Sequence, residues 1–423
     1  MLKACGDAKR KEKIPMTELD KQNKGPLAGV RVLDLTAVVM GPYATQILGD
    51  MGADIIKVEP PQGDNMRWVG PMKNPGMGHI FLHANRNKRS LVLDLKQPQG
   101  REALLKLAAQ SDVLVYNVRP AAMARLGLSY DEVRAVNPKI IYVGAFGFSE
   151  RGPYAGRPAY DDLIQGAAGV PSLTLDQDSE VPRYAPVTLG DRSVGLQTVI
   201  AVMGALYHAS RTGEGQAVEV TMFESLSQFV LGDHMAGKTF KPAIGKTGYS
   251  RLTAPHRRPY ATRDGHLCVL IYNDKHWQSF FKLIGRDDLL DDARFCDHSS
   301  RATHIRDVYE FVAEVMATRS TAEWAALLQK ADIPNMPMHS IDSLIDDPHL
   351  NAIGFFPEYE HPSEGTIRTT APVGEWGKTP PSIRAMAARL GEHSRDILRE
   401  LGYDDAAINT MLAQGVTMEP GAD

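Results

Sequence analysis

From Gly29 onward, short β-branched runs alternate with stretches whose apolar positions return every three or four residues. The runs predict buried strands at VRVLDL (30–35), ADIIKVE (53–59), SLVLDL (90–95), SDVLVY (111–116) and KIIYVGAFG (139–147). Between the first two, Gly41-Pro42 opens a helical stretch, with Pro where its missing N–H costs nothing, and Gly52 closes it. Further helices are predicted around 98–110, around 120–135 and from about 160. This alternation predicts an α/β fold with a parallel sheet covered on both faces. Ligands of such sheets sit beyond the carboxyl ends of the strands.

The pattern changes after EVTMFESLSQFVLGDHM (219–235). Residues 237–251 carry Gly and Pro without an apolar period and predict a linker. YATRDGHLCVLIY (260–272) predicts a hairpin turning at Asp264-Gly265, followed by helices near 275–285, 303–318 and 321–331. A second Pro-containing crossing, IPNMPMHS (333–340), leads to a last segment with two helices in 390–415. The expected divisions are a flexible tail at 1–24, a large domain from 25–225, a linker at 226–252, a small domain at 253–333, a linker at 334–350 and a C-terminal part at 351–423.

The chain has 423 residues, of which 43% are hydrophobic and 23% charged, which excludes wholesale disorder and a fibrous repeat. A net charge of −4 offers no general attraction to nucleic acid or to an anionic membrane. No apolar run approaches the ~18 residues of a membrane span. Cys5, Cys268 and Cys296 are too scattered for a disulfide framework or a zinc site, and a reducing, cytoplasmic compartment is expected. The Lys-rich tail lacks the apolar stretch of an export signal, and Asp7, Glu12, Glu18 and Asp20 dilute its charge.

Several residues could carry chemistry. The first strand–helix turn, MGPYATQ (40–46), lacks G-x-G-x-x-G, yet its helix N-terminus still offers N–H groups to an anion or polar edge. Glu59 ends the second strand, where an acidic residue can hold a ribose. Lys57, Arg67, Arg86, Lys88, Arg89, Lys96, Arg119 and Arg125 recur at strand ends, either to meet a phosphorylated ligand or as a solvated rim. In NVRPAAMARLGL (117–128), Asn117, Arg119 and Arg125 fall just after a strand and across the first turns of a helix. Asp191 precedes a long apolar helical pattern that stops at Gly213, so it is an expected N-cap. Helix donors and dipole would keep it ionised at neutral pH, fit to attack an activated carbonyl, or it only caps. Gly190 and Gly195 would leave room for a substrate.

Taken together, the segments PLAGVRVLDLTAVVMGPYATQILGDMGADIIKVEPPQGD (26–64), NKRSLVLDLKQPQGR (87–101), DVLVYNVRPAAMARLGL (112–128), NPKIIYVGAFGF (137–148), LGDRSVG (189–195), RTGEGQAVEVTMFE (211–224) and LGEHSRDILRELG (390–402) resemble the class III (family III) CoA-transferases. That group contains formyl-CoA transferase, carnitine CoA-transferase and 2-methylacyl-CoA racemase. The resemblance implies a Rossmann-like large domain completed by the C-terminal part, a smaller α+β domain, and two ring-shaped subunits interlocked as a homodimer. It implies that Asp191 is the catalytic carboxylate and passes through a covalent aspartyl-CoA thioester. It places CoA contacts at Ala37, Val38, Val39 and Met40, at Leu93 and Lys96, and at Asn117, Arg119 and Arg125. Arg157 and Tyr160 would line the thioester end. CoA would be substrate and product, with no tightly bound cofactor and no metal, and the second substrate a small carboxylic acid.

Departures from the family pattern shape the expected chemistry. Val39 stands where formyl-CoA transferase has Gln, and RLTAPHRRPYATRDG (251–265) lacks that enzyme's glycine run, which argues against formyl and oxalate. The racemases' G-H-D context is replaced by Pro158-Ala159-Tyr160-Asp161, and a tyrosine of ordinary pKa ~10 is a poor base. Transfer from succinyl-CoA or a similar donor is therefore expected over racemisation, with a non-catalytic CoA-binding protein a third reading. Arg257 and Arg258 can grip the distal carboxylate of a dicarboxylic acid, or be loop surface.

Overall fold

A computed structural model of the chain describes residues 24–175 and 181–421. The expected tail, Lys24 apart, lies outside the described residues. The chain divides into two compact units, one comprising the chain up to Ile164, Val187–Leu226 and Ala352 onward, the other Gln165–Pro186 and Ser227–Asn351. Residues 165–186, expected within the large domain, thus cluster with the second unit.

The first unit is built on β1 (Arg31–Leu35), β2 (Asp54–Glu59), β3 (Lys88–Val92), β4 (Val113–Tyr116), β5 (Ile141–Phe146) and β6 (Ala217–Thr221). They form one parallel sheet in the order β3-β2-β1-β4-β5-β6, the doubly wound arrangement. Leu33 pairs with Ile56 on one side and Leu114 on the other. β3 ends at Val92, short of the expected Leu95, because Asp94 turns the chain by accepting the Lys96 N–H (3.1 Å).

Its helices are α1 (Met40–Asp50), α2 (Pro98–Ala108), α3 (Pro120–Arg125), α4 (Tyr130–Val136), α5 (Asp161–Ala167), α6 (Leu189–Thr212) and α7 (Met222–His234). The single helix expected over 120–135 is two. Gly127, at φ 68°, ends the first, and the Ser129/Glu132 capping box starts the second. α7 runs through the expected boundary at 225/226, so the linker begins as helix.

In the second unit the expected hairpin is β7 (Tyr260–Ala261) and β8 (His266–Val269), and β9 (Asn335–Pro337) adds a third antiparallel strand from the Pro-containing crossing. α8 (Asp274–Ile284), α9 (Ile305–Met316) and α10 (Thr321–Lys330) close over an aromatic core of Trp277, Phe280, Phe281, Phe295 and Trp324. The chain then returns to the first unit. There α11 (Ser394–Glu400) and α12 (Asp405–Ala413) bury Ile397, Leu398, Ile408 and Met411 against Leu33, Ile56, Leu91 and Leu104.

Candidate active site

A buried charged network surrounds β1 and β2, with Lys57, Glu59, Asp64 and Arg67 toward the carboxyl end of β2, and Asp50 and Arg86 ahead of β2 and β3. Lys57 pairs with Asp64 (3.0 Å), Lys88 with Asp34 (3.0 Å), Arg67 with Glu59 (2.7 Å) and Arg86 with Asp50 (2.7 Å). These cations are neither a solvated rim nor phosphate contacts, and Glu59, held by Arg67, is not available to a ribose. Burial pushes the Asp34 carboxyl up, but Lys88, Lys57, Thr36 and Thr45 outweigh it and hold it at about 2. For Lys88 burial wins over Asp34, and its pKa falls to about 8.

Asp191 is not an N-cap. α6 begins two residues earlier, its N-cap is Thr188 without a side-chain cap bond, and Asp191 is the third residue of the first turn. Its side chain is largely buried, at 9% exposure. Its N–H donates to Oδ1 of Asp161 (2.8 Å), and among the described residues no donor reaches its own carboxylate. Burial first, then the negative charge of Asp161, push its pKa up to about 7, against the pull of Arg192. The expectation of a firmly ionised group is therefore corrected. Dehydration and a second carboxylate outweigh the helix terminus, and the residue titrates near neutrality.

The glycines serve packing rather than substrate access. A Cβ on Gly195 would stand 2.9 Å from the Tyr43 ring and 3.0 Å from the Met40 carbonyl oxygen, so its absence lets α6 lie against α1. Asp191 lies one turn before Gly195 on the same face of α6. A Cβ on Gly190 would stand 3.1 Å from Oδ1 of Asp161. Arg192 stacks over the Tyr43 ring (4.5 Å).

The other expected site residues are placed as follows. Val39 and Met40 are buried at the start of α1. Leu93 packs in the core. The Asn117 side chain is engaged at both ends by Ala37, accepting from its N–H (2.9 Å) and donating to its carbonyl (2.7 Å). Lys96 and Arg125 line a cavity of about 820 Å³ together with Gln97, Arg101 and Gly127. Arg119 is exposed and donates to the Gly156 carbonyl (3.4 Å). Arg157 lies over Tyr154 (4.4 Å), which packs with Phe148 and Phe223. Tyr160 is 65% exposed, immediately before Asp161. Arg257 and Arg258 are exposed on the second unit, ahead of β7. Sequence reasoning missed Asp161, Arg192 and Arg101. The Tyr160-Asp161 pair opening a helical pattern was the one signal for the first. Among the described residues no group of His, Cys, Asp and Glu is placed to hold a metal, and no helix is long and apolar enough to cross a membrane.

The fold is doubly wound with a buried carboxylate at the start of α6, and comparison with known proteins gives the family. The model of CoA-transferase family III matches residues 27–394, and the chain belongs to that family. It is 31% identical over 408 residues to the mouse (Mus musculus) succinyl-CoA:glutarate CoA-transferase, covering 95% of this chain and 92% of that one. It is 32% identical over 401 residues to the succinate–glutarate CoA-transferase of Agrobacterium fabrum, covering 91% and 98%. Among solved structures, a CAIB/BAIF family protein from Brucella suis superposes with a TM-score of 0.75 at 30% identity, covering 90% and 100%. The protein is a CoA-transferase, exchanging CoA between an acyl-CoA and a carboxylic acid, with CoA as substrate rather than bound cofactor.

Proposed function

We propose that Asp191 carries the CoA through a covalent aspartyl thioester. The observation behind this reading is a largely buried carboxylate that no donor among the described residues reaches, with its pKa pushed up to about 7. The Asp191 carboxylate attacks the acyl carbon of the donor thioester, the C–S bond breaks, and a mixed anhydride and CoA thiolate form. The thiolate attacks the Asp191 carbonyl carbon, releasing the donor acid and leaving aspartyl-CoA. The acceptor carboxylate attacks that thioester and expels the thiolate, which then takes the acceptor acyl group and frees Asp191. The group must serve as nucleophile and leaving group in turn, which a carboxylate does and an amide does not. Trapping the acyl-aspartate with hydroxylamine during turnover and mapping the modified peptide tests this. An unmodified Asp191 peptide would refute it.

Only ionised Asp191 attacks, so kcat/KM should rise with pH through an acid limb near 7. Asp161→Asn keeps an acceptor for the Asp191 N–H but removes the charge that raises its pKa, and should move the limb to lower pH. Arg192→Gln removes the opposing charge and should move it higher. Profiles with succinyl-CoA decide; a limb unmoved by either change would sink this electrostatic account.

The site is proposed to take CoA at residues 37–40, with Asn117 acting through the Ala37 backbone it holds, at Leu93, and at Lys96, Arg119, Arg125, Arg157 and Tyr160. Three basic side chains around one cavity, Lys96, Arg101 and Arg125, suit a phosphorylated ligand. The substrate pair is proposed to be succinyl-CoA, or a similar donor, and a dicarboxylate, as the relatives' names suggest. Arg257→Ala and Arg258→Ala are then expected to raise KM for a dicarboxylate about tenfold over that for a monocarboxylate. A panel of acids read by mass spectrometry checks this, and unchanged KM values would remove both arginines from the site. The working form is proposed to be a cytoplasmic, interlocked homodimer. Exposed Leu196, Ile200 and Tyr207, at i, i+4 and i+11 of α6, are side chains a partner subunit would cover.

A further inference from the structure

The turn between β1 and α1 is held in a conformation its sequence disfavours. Val38 has φ 71°, the left-handed region, which a β-branched residue adopts only under strain. Such a residue persists only if its surroundings over-determine it.

They do so here, one residue after another. Asp34 accepts the Thr36 N–H (2.9 Å), and Lys57 Nζ donates to the Thr36 carbonyl (2.7 Å). Asn117 takes both the N–H and the carbonyl of Ala37 (2.9 and 2.7 Å). Asp64 Oδ1 accepts the Val38 N–H (3.1 Å), while its Oδ2 is fixed by Lys57 Nζ (3.0 Å) and its Oδ1 also accepts the Met66 N–H (3.0 Å). The next three N–H groups, of Val39, Met40 and Gly41, have no acceptor among the described residues, and Pro42 has none to offer. The clamp thus ends where the unpaired donors begin, at the start of α1.

We infer that Lys57 and Asp64, at the bottom of this clamp, are positioning residues for CoA transfer: they lock Val38 left-handed so that the Val39 and Met40 amides stay aimed at the CoA ester. This rests on the proposed binding of CoA by residues 37–40. Lys57 and Asp64 act through the turn, and Asn117 completes the clamp from β4. Asn117 then serves CoA by shaping Ala37 rather than by touching the ligand with its side chain.

The test is a double-mutant cycle on the full-length protein, read as CoA affinity by calorimetry. Asp64→Ala removes the acceptor that holds Val38, and is expected to weaken CoA about 10–100-fold. Glycine adopts φ near +70° without strain, so in a Val38→Gly background the same Asp64→Ala change should cost only about threefold. Asp64→Asn keeps an acceptor for the Val38 N–H and should bind CoA closer to the wild type than Asp64→Ala does. Should Asp64→Ala not fold, Lys57→Met with the same Val38→Gly partner repeats the cycle. Equal losses in the two backgrounds, or an Asn variant as weak as the Ala variant, would overturn the inference. Ala37→Asp, at a half-buried position of the turn, reports separately on the assignment beneath it. If an added negative charge there leaves CoA affinity untouched, CoA does not use this turn, and that assignment falls whatever the cycle shows.

Discussion

Asp191→Asn is expected to cut CoA transfer by roughly a thousandfold or more, because the amide cannot form or release the acyl anhydride. The same substitution should make the protein more stable. Asp191 in the folded chain binds its proton up to about pH 7, well above its ordinary value of 3.8. Between those values the folded state holds more protons than the unfolded one, so wild-type stability falls as pH rises through this window. Above pH 7 the full cost of an ionised, dehydrated carboxylate is present, on the order of 2–4 kcal/mol. Asparagine removes it. The melting temperature of the variant should therefore exceed that of the wild type above pH 7, and the gap should close as pH falls toward 4. Scanning calorimetry across pH and a coupled thioester assay measure the two effects. An active Asp191→Asn protein would end the nucleophile assignment, and a less stable one would end the account of its pKa.

Arg67→Met is expected to be the most destabilising single change in the first unit. Arg67 donates to both Glu59 oxygens at 2.7 Å, and both side chains are almost fully buried. It also donates to the Ala388 carbonyl (3.2 Å), tying the returning C-terminal segment to the sheet. Removing the guanidinium leaves Glu59 buried with the Ser90 hydroxyl and the Asp64 N–H. Breaking one side of such a pair costs about 3–5 kcal/mol, whereas replacing both partners by apolar groups costs far less. Urea unfolding should show the lower midpoint for Arg67→Met and a partial recovery in Arg67→Met/Glu59→Leu. Burial raises the Glu59 pKa but Arg67 and Lys57 more than reverse this and lower it. The pair's contribution in the wild type is therefore present above the ordinary glutamate range and is lost only as pH falls below it. A midpoint unchanged in Arg67→Met would contradict this reading of the pair.

Much of the architecture was legible along the chain. Short β-branched runs such as VRVLDL and SDVLVY read as buried strands, and the helical stretches between them point to parallel crossovers. Asp191 stood out because it sits at the start of a long apolar helix. The charged residues were another matter. Lys57 and Lys88 read either as cations for a phosphate or as a solvated rim, yet both end buried against Asp64 and Asp34. Each partner lies on a different element, and nothing local to either residue announces the pairing. Glu59 and Asn117 were assigned to a ligand for the same reason, and the fold engages them with Arg67 and Ala37.

The sequence by itself therefore determined the order of strands and helices along the chain and picked out Asp191 as the candidate carboxylate, because apolar period, turn chemistry and helix termini are local properties. Only the tertiary structure decided how acidic that residue is and which polar groups remain open to a ligand. Both depend on dehydration and on charges brought together from distant parts of the chain: Asp161 lies thirty residues from Asp191 along the backbone and one hydrogen bond from it in space.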